Sequence, residues 1–173
     1  MNAINEHARS VDSAATWHSV MRFLGREAKH LDDKDWDAWL ALYSPDATYW
    51  IPSWDSDGTL VTDPTRHVSL IYYKNRGGLE DRVFRIRTGK SAASIPLART
   101  CHQHQLIDVS ESGGIVKVQT NWRVDSDTDH EVRSYFGTAY YDLLAQGDSW
   151  LIQSKKTIVL NDRIDQLLDV YLV

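Results

Sequence analysis

Val116-Lys117-Val118-Gln119-Thr120-Asn121-Trp122-Arg123-Val124 is the stretch on which the fold turns. Val116, Val118, Thr120, Trp122 and Val124 alternate strictly with Lys117, Gln119, Asn121 and Arg123, the two-residue period of a strand with one buried face. Upstream, Gly113-Gly114 supplies a hairpin turn from a strand over about Arg99 to Val109. Downstream, Asp125 to Asp129 reads as a polar turn and Val132 to Leu144 as the next strand. Gly147-Asp148 then turns into a last strand from Trp150 to Leu160. Phe136 and Tyr140 fall on one face of the Val132–Leu144 strand and Tyr135, Tyr141 and Leu143 on the other, which predicts cover on both sides. The end, Leu167-Leu168-Asp169-Val170-Tyr171-Leu172-Val173, is apolar enough to dock on the body of the protein.

Before this sheet the period changes. From about Asp12, with Asp12 or Ser13 as N-cap, Trp17, Val20, Met21, Leu24, Ala28 and Leu31 recur at three- and four-residue steps. Arg22, Arg26, Glu27 and Lys29 take the opposite, solvent side of that helix. A second helix, capped by Asp32 or Asp33, buries Trp36, Trp39, Leu40 and Tyr43 and stops at Ser44-Pro45, because a residue before proline avoids the α region. Ala47 to Ile51 reads as a short strand, Asp57-Gly58 as a turn, and Thr65 to Asn75 as a helix with Val68, Ile71 and Tyr72 on one side. Gly77-Gly78 breaks it, and another short helix runs from Leu79 to about Arg87 with Val83 and Ile86 inward. Pro96 ends a polar loop. Residues 1–11 lack periodicity and read as an arm. Helices followed by long antiparallel strands define an α+β domain spanning 1–173, its helices laid on one face of a curved sheet.

Composition narrows the function. The 173 residues carry a net charge of −5, without the basic stripe of a nucleic-acid binder. No run is apolar and long enough to span a bilayer, and the first dozen residues lack a secretory core, so a cytoplasmic location is expected. One cysteine, Cys101, excludes an intrachain disulfide and a cysteine-rich zinc site. Seven Trp and eight Tyr suit a chain that buries ring surface against itself and against partners.

Two groups of residues invite chemistry. His102 and His104 lie two apart on a strand and face the same way. With a carboxylate such as Asp46 or Asp108 they would make a two-histidine, one-carboxylate metal site. With Tyr49 and a nearby carboxylate they would instead make an acid–base set. Equally, Tyr49, His102 and His104 serve as cavity residues with satisfied hydrogen bonds. The second group lies between Trp54 and Arg87. Acid comes first (Asp55, Asp57, Asp63) and base last (Arg82, Arg85, Arg87), with Trp54, Tyr72, Tyr73 and Phe84 between them. Rings in so charged a stretch point to something packed on them. The arginines are expected to pair with Asp55, Asp57, Asp63, Glu80 or Asp81, within the fold or across a subunit boundary. No glycine-rich phosphate loop, nucleophile elbow or paired-cysteine motif is present.

These residues, taken together, resemble the small (β) subunit of the oxygenase component of aromatic-ring-hydroxylating dioxygenases, in its benzoate, toluate and anthranilate group. The resemblance rests on Phe23-Leu24-Gly25-Arg26-Glu27-Ala28 with Leu31-Asp32, on Trp39-Leu40 with Tyr43, and on Tyr49-Trp50-Ile51-Pro52. Its most specific pieces are Trp54-Asp55-Ser56-Asp57-Gly58, Ser69-Leu70-Ile71-Tyr72-Tyr73 and Leu79-Glu80-Asp81-Arg82-Val83-Phe84-Arg85-Ile86-Arg87. It implies an NTF2-like (cystatin-like) cone and a chiefly structural subunit without a catalytic or metal site of its own. It further implies assembly as an α3β3 hexamer with a β-subunit trimer. The α subunit would carry a Rieske [2Fe–2S] cluster and a mononuclear Fe(II), fed by an NADH-dependent reductase. The reaction implied for the assembly is cis-dihydroxylation of an aromatic carboxylate by O2, as in benzoate degradation. Trp54, Asp55, Asp57, Asp63, Tyr72, Tyr73, Arg82, Arg85 and Arg87 then become candidates for subunit interfaces. Stand-alone dehydratases, isomerases and cyclases of the same fold are the alternative, and they would use Tyr49, His102 and His104.

Overall fold

The structure, a computed structural model, describes residues 14–89 and 95–173. The expected arm over 1–11 and the Asp12 or Ser13 cap lie outside the described residues. The first helix, α1, runs Ala14–Asp32 and buries Val20, Phe23, Leu24, Glu27, Ala28 and Leu31. Two assignments on it change: Met21 is half exposed, and Glu27, expected in solvent, is fully buried. The helix is wrapped far enough by the sheet that its buried sector includes the Glu27 position. Helix α2 is short, Trp36–Leu40, and its cap is Asp35 rather than Asp32 or Asp33; the Asp35 side chain accepts from the Ala38 amide.

Tyr43 does not extend α2. It opens strand β1, Tyr43–Pro52, within which Ser44-Pro45 falls at a break in register. Strand β2 is Ser69–Tyr73, where a helix was expected. The i, i+3, i+4 spacing of Val68, Ile71 and Tyr72 misled: Val68 is 83% exposed, and Ile71 and Tyr72 are cross-strand partners of Ile51 and Trp50. Helix α3 then spans Gly77–Arg87, burying Leu79, Val83 and Ile86. Its two glycines lie within the helix rather than breaking it. A Cβ on Gly78 would come within 2.3 Å of the Tyr73 ring, so the missing side chain is where Tyr73 packs.

The remaining strands are β3 (Arg99–Ser112), β4 (Ile115–Thr128), β5 (Glu131–Gln146) and β6 (Ser149–Val159), an antiparallel meander. The polar Asp125–Thr128 segment, expected as a turn, continues β4, and the chain reverses at Asp129-His130, both with positive φ. The sheet holds six strands in the order β2-β1-β6-β5-β4-β3, because β1 joins the free edge of β6 in parallel and β2 pairs outside it. Helix α1 packs on one face of the sheet, against β3 and β6. The opposite face of β5 is left open by the described residues: Val132 is 71%, Phe136 47% and Tyr140 41% exposed. Apolar residues on both faces therefore signalled an outer face that the described residues leave open.

Ring surface organises the interior. Tyr171, Trp36, Trp39, Tyr43, Tyr49 and Tyr73 follow one another with centroids 5.2 to 6.5 Å apart. Such edge and tilted contacts add about 0.5–1.5 kcal/mol each beyond area burial. The C-terminal segment docks as its composition predicts, with Leu168, Val170, Tyr171, Leu172 and Val173 buried. Asp169, wholly buried within it, accepts from Arg82 Nε at 2.8 Å and caps the Val170 amide at 2.7 Å.

Candidate functional site

Inside the cone, Glu27 of α1 faces the sheet. Its Oε1 accepts from the Tyr43 hydroxyl at 2.8 Å and from Lys155 Nζ at 2.9 Å, and its Oε2 accepts from the Tyr141 hydroxyl at 3.0 Å. Lys155 is as buried as its partner and lies 5.7 and 5.4 Å from the Tyr49 and Tyr141 ring centres. Burial pushes the Glu27 carboxyl up, but the Lys155 ammonium and His104, with the hydrogen bonds from Lys155 and Tyr43, outweigh it and hold the group at about 2. The same burial, with Glu27's charge, drives the phenols of Tyr43, Tyr49 and Tyr141 well above their ordinary range. An ionised, fully paired centre of this kind has no proton to exchange near neutrality. It fixes α1 on β1, β5 and β6.

A second centre lies between α1 and β3. The Asp32 carboxylate accepts from Thr100 Oγ1 at 2.9 Å and from the His102 amide at 3.1 Å, and it lies 2.6 Å from His102 Nδ1. Burial raises the Asp32 carboxyl, and the His102 contacts more than reverse that. Burial also lowers the basicity of His102, opposed by Asp32. His104, two residues on, is held at about 4 by burial, against Glu27's attraction. His102 and His104 line a cleft of about 280 Å3 with Met21, Leu24, Gly25, Ala28, Lys29, Asp32 and Leu106. Both histidines thus line the same cleft. Tyr49 is not among the cleft's lining residues; it sits deeper, in the aromatic row, its hydroxyl unpartnered among the described residues. Asp46 and Asp108, the carboxylates expected beside the histidines, are exposed. Asp32 and Glu27 occupy that role instead, and their positions at the end and on the assumed outer face of a helix concealed them. Among the described residues, no three His, Cys, Asp or Glu side chains converge as metal ligands would.

The charged central stretch is distributed differently from expectation. Arg82 pairs with Asp169 and Arg87 with Asp37, at 2.8 Å for the latter, rather than with any of Asp55, Asp57, Asp63, Glu80 or Asp81. Asp57 and Asp63 accept from the Thr59 and Thr65 amides in local turns. Arg85 is exposed and makes no salt bridge among the described residues. Trp54 is 44% exposed while its indole N–H donates to the Val159 carbonyl at 2.8 Å. Tyr72 sits edge-on to Trp50 on β2, and Tyr73 is half-buried between Tyr49 and α3. No helix among the described residues is long and apolar enough to cross a membrane.

A helix-lined cone on one curved sheet is the NTF2-like, or cystatin-like, architecture. A cystatin-like protein from Nostoc punctiforme superposes with a TM-score of 0.57 at 14% identity, over 87% of this chain and 95% of that one. The model of the ring hydroxylating beta subunit family matches residues 26–166. The toluate 1,2-dioxygenase β subunit of Pseudomonas putida is 45% identical over 90% of this chain and 97% of its own length. The β subunit of benzoate 1,2-dioxygenase from Burkholderia mallei superposes with a TM-score of 0.70 at 42% identity, over 89% of this chain and 95% of that one. The chain belongs to the ring-hydroxylating β-subunit family, as the residues from Phe23 to Arg87 imply. It is the β subunit of an aromatic-ring-hydroxylating dioxygenase.

Proposed function

We propose that this β subunit is a non-catalytic scaffold for a large oxygenase subunit that cis-dihydroxylates an aromatic carboxylate, with electrons from an NADH-dependent reductase. The toluate and benzoate relatives support the substrate class. The observation that carries the scaffold role is the donor set. A Rieske centre takes two cysteines and two histidines, whereas this sequence has Cys101 alone. The residues present do not fit that cluster, which belongs on the partner. The outer face of β5, with Val132, Phe136 and Tyr140 exposed, and the Trp54–Asp63 loop and α3 supply ring and charge of the kind that subunit contacts use.

In an α3β3 ring the contacts are heterologous and close by rotation. Exposed acid at Asp55 and Asp57 on one subunit can then meet Arg85 of a neighbour. Arg82 and Arg87, already paired within the chain, contribute less across such a boundary. The test is Arg85→Glu in the co-expressed complex, followed by sedimentation. Loss of the hexamer, with the isolated variant still folded, is the expected result; an intact hexamer refutes this placement. Benzoate turnover only when both subunits are present is expected as well, and full turnover by the large subunit alone would overturn the scaffold role.

A further inference from the structure

The cleft between α1 and β3 lies apart from the residues proposed above for subunit contacts. Asp32 is ionised and can only accept, so the His102 nitrogen beside it carries the proton, and its other nitrogen, Nε2, is left with a lone pair. That Nε2 is buried and has no hydrogen-bond partner among the described residues, on a residue only 8% exposed. His104 Nδ1 is likewise buried and unpartnered. An unmet acceptor in a buried position costs free energy unless something donates to it. Met21, Leu24, Ala28 and Leu106 make the apolar part of the lining, and at Gly25 a Cβ would meet nothing within 4 Å. Of the basic groups in the lining, Lys29 pairs with Asp33 at the surface, and burial keeps both imidazoles uncharged at neutral pH. A carboxylate would thus meet the like charge of Asp32 there, with only the solvent-exposed Lys29 in the lining to offset it.

The geometry points to a binding site for a small neutral ring bearing a hydroxyl group, a phenol or ring alcohol, lying on the Met21–Leu24–Leu106 surface and donating its O–H to His102 Nε2. A cleft of about 280 Å3 holds one ring with its substituents.

The probes are phenol, anisole (the same ring without the O–H) and benzoate, titrated calorimetrically into the full chain. Phenol is expected to bind about tenfold more tightly than anisole, the worth of one hydrogen bond to a buried acceptor. In 15N-histidine-labelled protein, the His102 Nε2 resonance should move on addition of phenol and not of anisole. Gly25→Leu, which grows a side chain into the cleft, should weaken phenol at least tenfold without lowering Tm. Equal affinity for phenol and anisole, tighter binding of benzoate, or an Nε2 resonance unmoved by phenol would each overturn the proposal. Because the probe comparison uses the unaltered protein, a variant that fails to fold leaves the test intact.

Discussion

Glu27→Gln keeps the size of a fully buried side chain and removes its charge, which strands Lys155 beside two neutral phenols. The native carboxyl lies at about 2 against an ordinary 4.5, since Lys155 and its companions overcome the burial that would raise it. That gap corresponds to about 3 kcal/mol of stability at neutral pH. It agrees with the roughly 3–5 kcal/mol lost when one partner of a buried pair is removed. The group's folded value is depressed, so its contribution is present above pH 4.5 and is lost as pH falls from 4.5 towards 2. Urea unfolding at pH 7 should therefore show Glu27→Gln destabilised by about 3 kcal/mol, and a pH series should show its acid dependence between 4.5 and 2 flattened. Lys155→Met should cost a similar amount, and the double variant should cost less than the two singles together by about 2 kcal/mol. A Glu27→Gln cost below about 1 kcal/mol, or strict additivity in the double variant, would refute the view that this pair anchors α1 to the sheet.

His104, whose folded value of about 4 lies below its ordinary 6.5, favours the folded state fully above pH 6.5 and progressively less as pH falls to 4. His104→Gln should remove about 3 kcal/mol of that acid sensitivity in the same pH series. Asp169→Asn loses the charge that holds Arg82 and should cost about 3 kcal/mol. Limited proteolysis should then cut within Leu167–Val173, and native-like resistance would count against the docking role of Asp169. Gly137→Ala would put a Cβ 1.9 Å from the Ile158 carbonyl oxygen, a backbone atom that cannot step aside. A loss of about 3 kcal/mol or more is expected, and an unchanged Tm would show that β5 and β6 separate more easily than their register implies.

The meander was legible because β3 to β6 carry local signals. Alternation at Val116–Val124 and glycine turns at Gly113-Gly114 and Gly147 each need only neighbouring residues to interpret. Strand β1 was legible over Ala47–Ile51, but its parallel pairing with β6, far away in sequence, was not, and β2 was missed because a five-residue strand such as Ser69–Tyr73 has room for helical spacing by chance. At the candidate site the same division holds. His102 and His104 announced themselves by their two-residue step, while Asp32 and Glu27 looked like a cap and a solvated face. Burial of a carboxylate depends on cations and phenols that other elements bring, here Lys155, Tyr43 and Tyr141. Helical periodicity contains no record of them.

The parallel pairing of Tyr49 with Lys155 has a consequence for biogenesis. While the ribosome is still making the meander, the Tyr43–Pro52 segment has α1, α2 and the short Ser69–Tyr73 ribbon beside it, but the edge that takes β6 stays open. Closing so long a loop is slow, because its entropy is lost before the contacts that compensate it form. The nascent polypeptide therefore passes through a stage in which its most ring-laden segment is adhesive, and production in the cell should respond to chaperone supply more than the finished protein's stability would suggest.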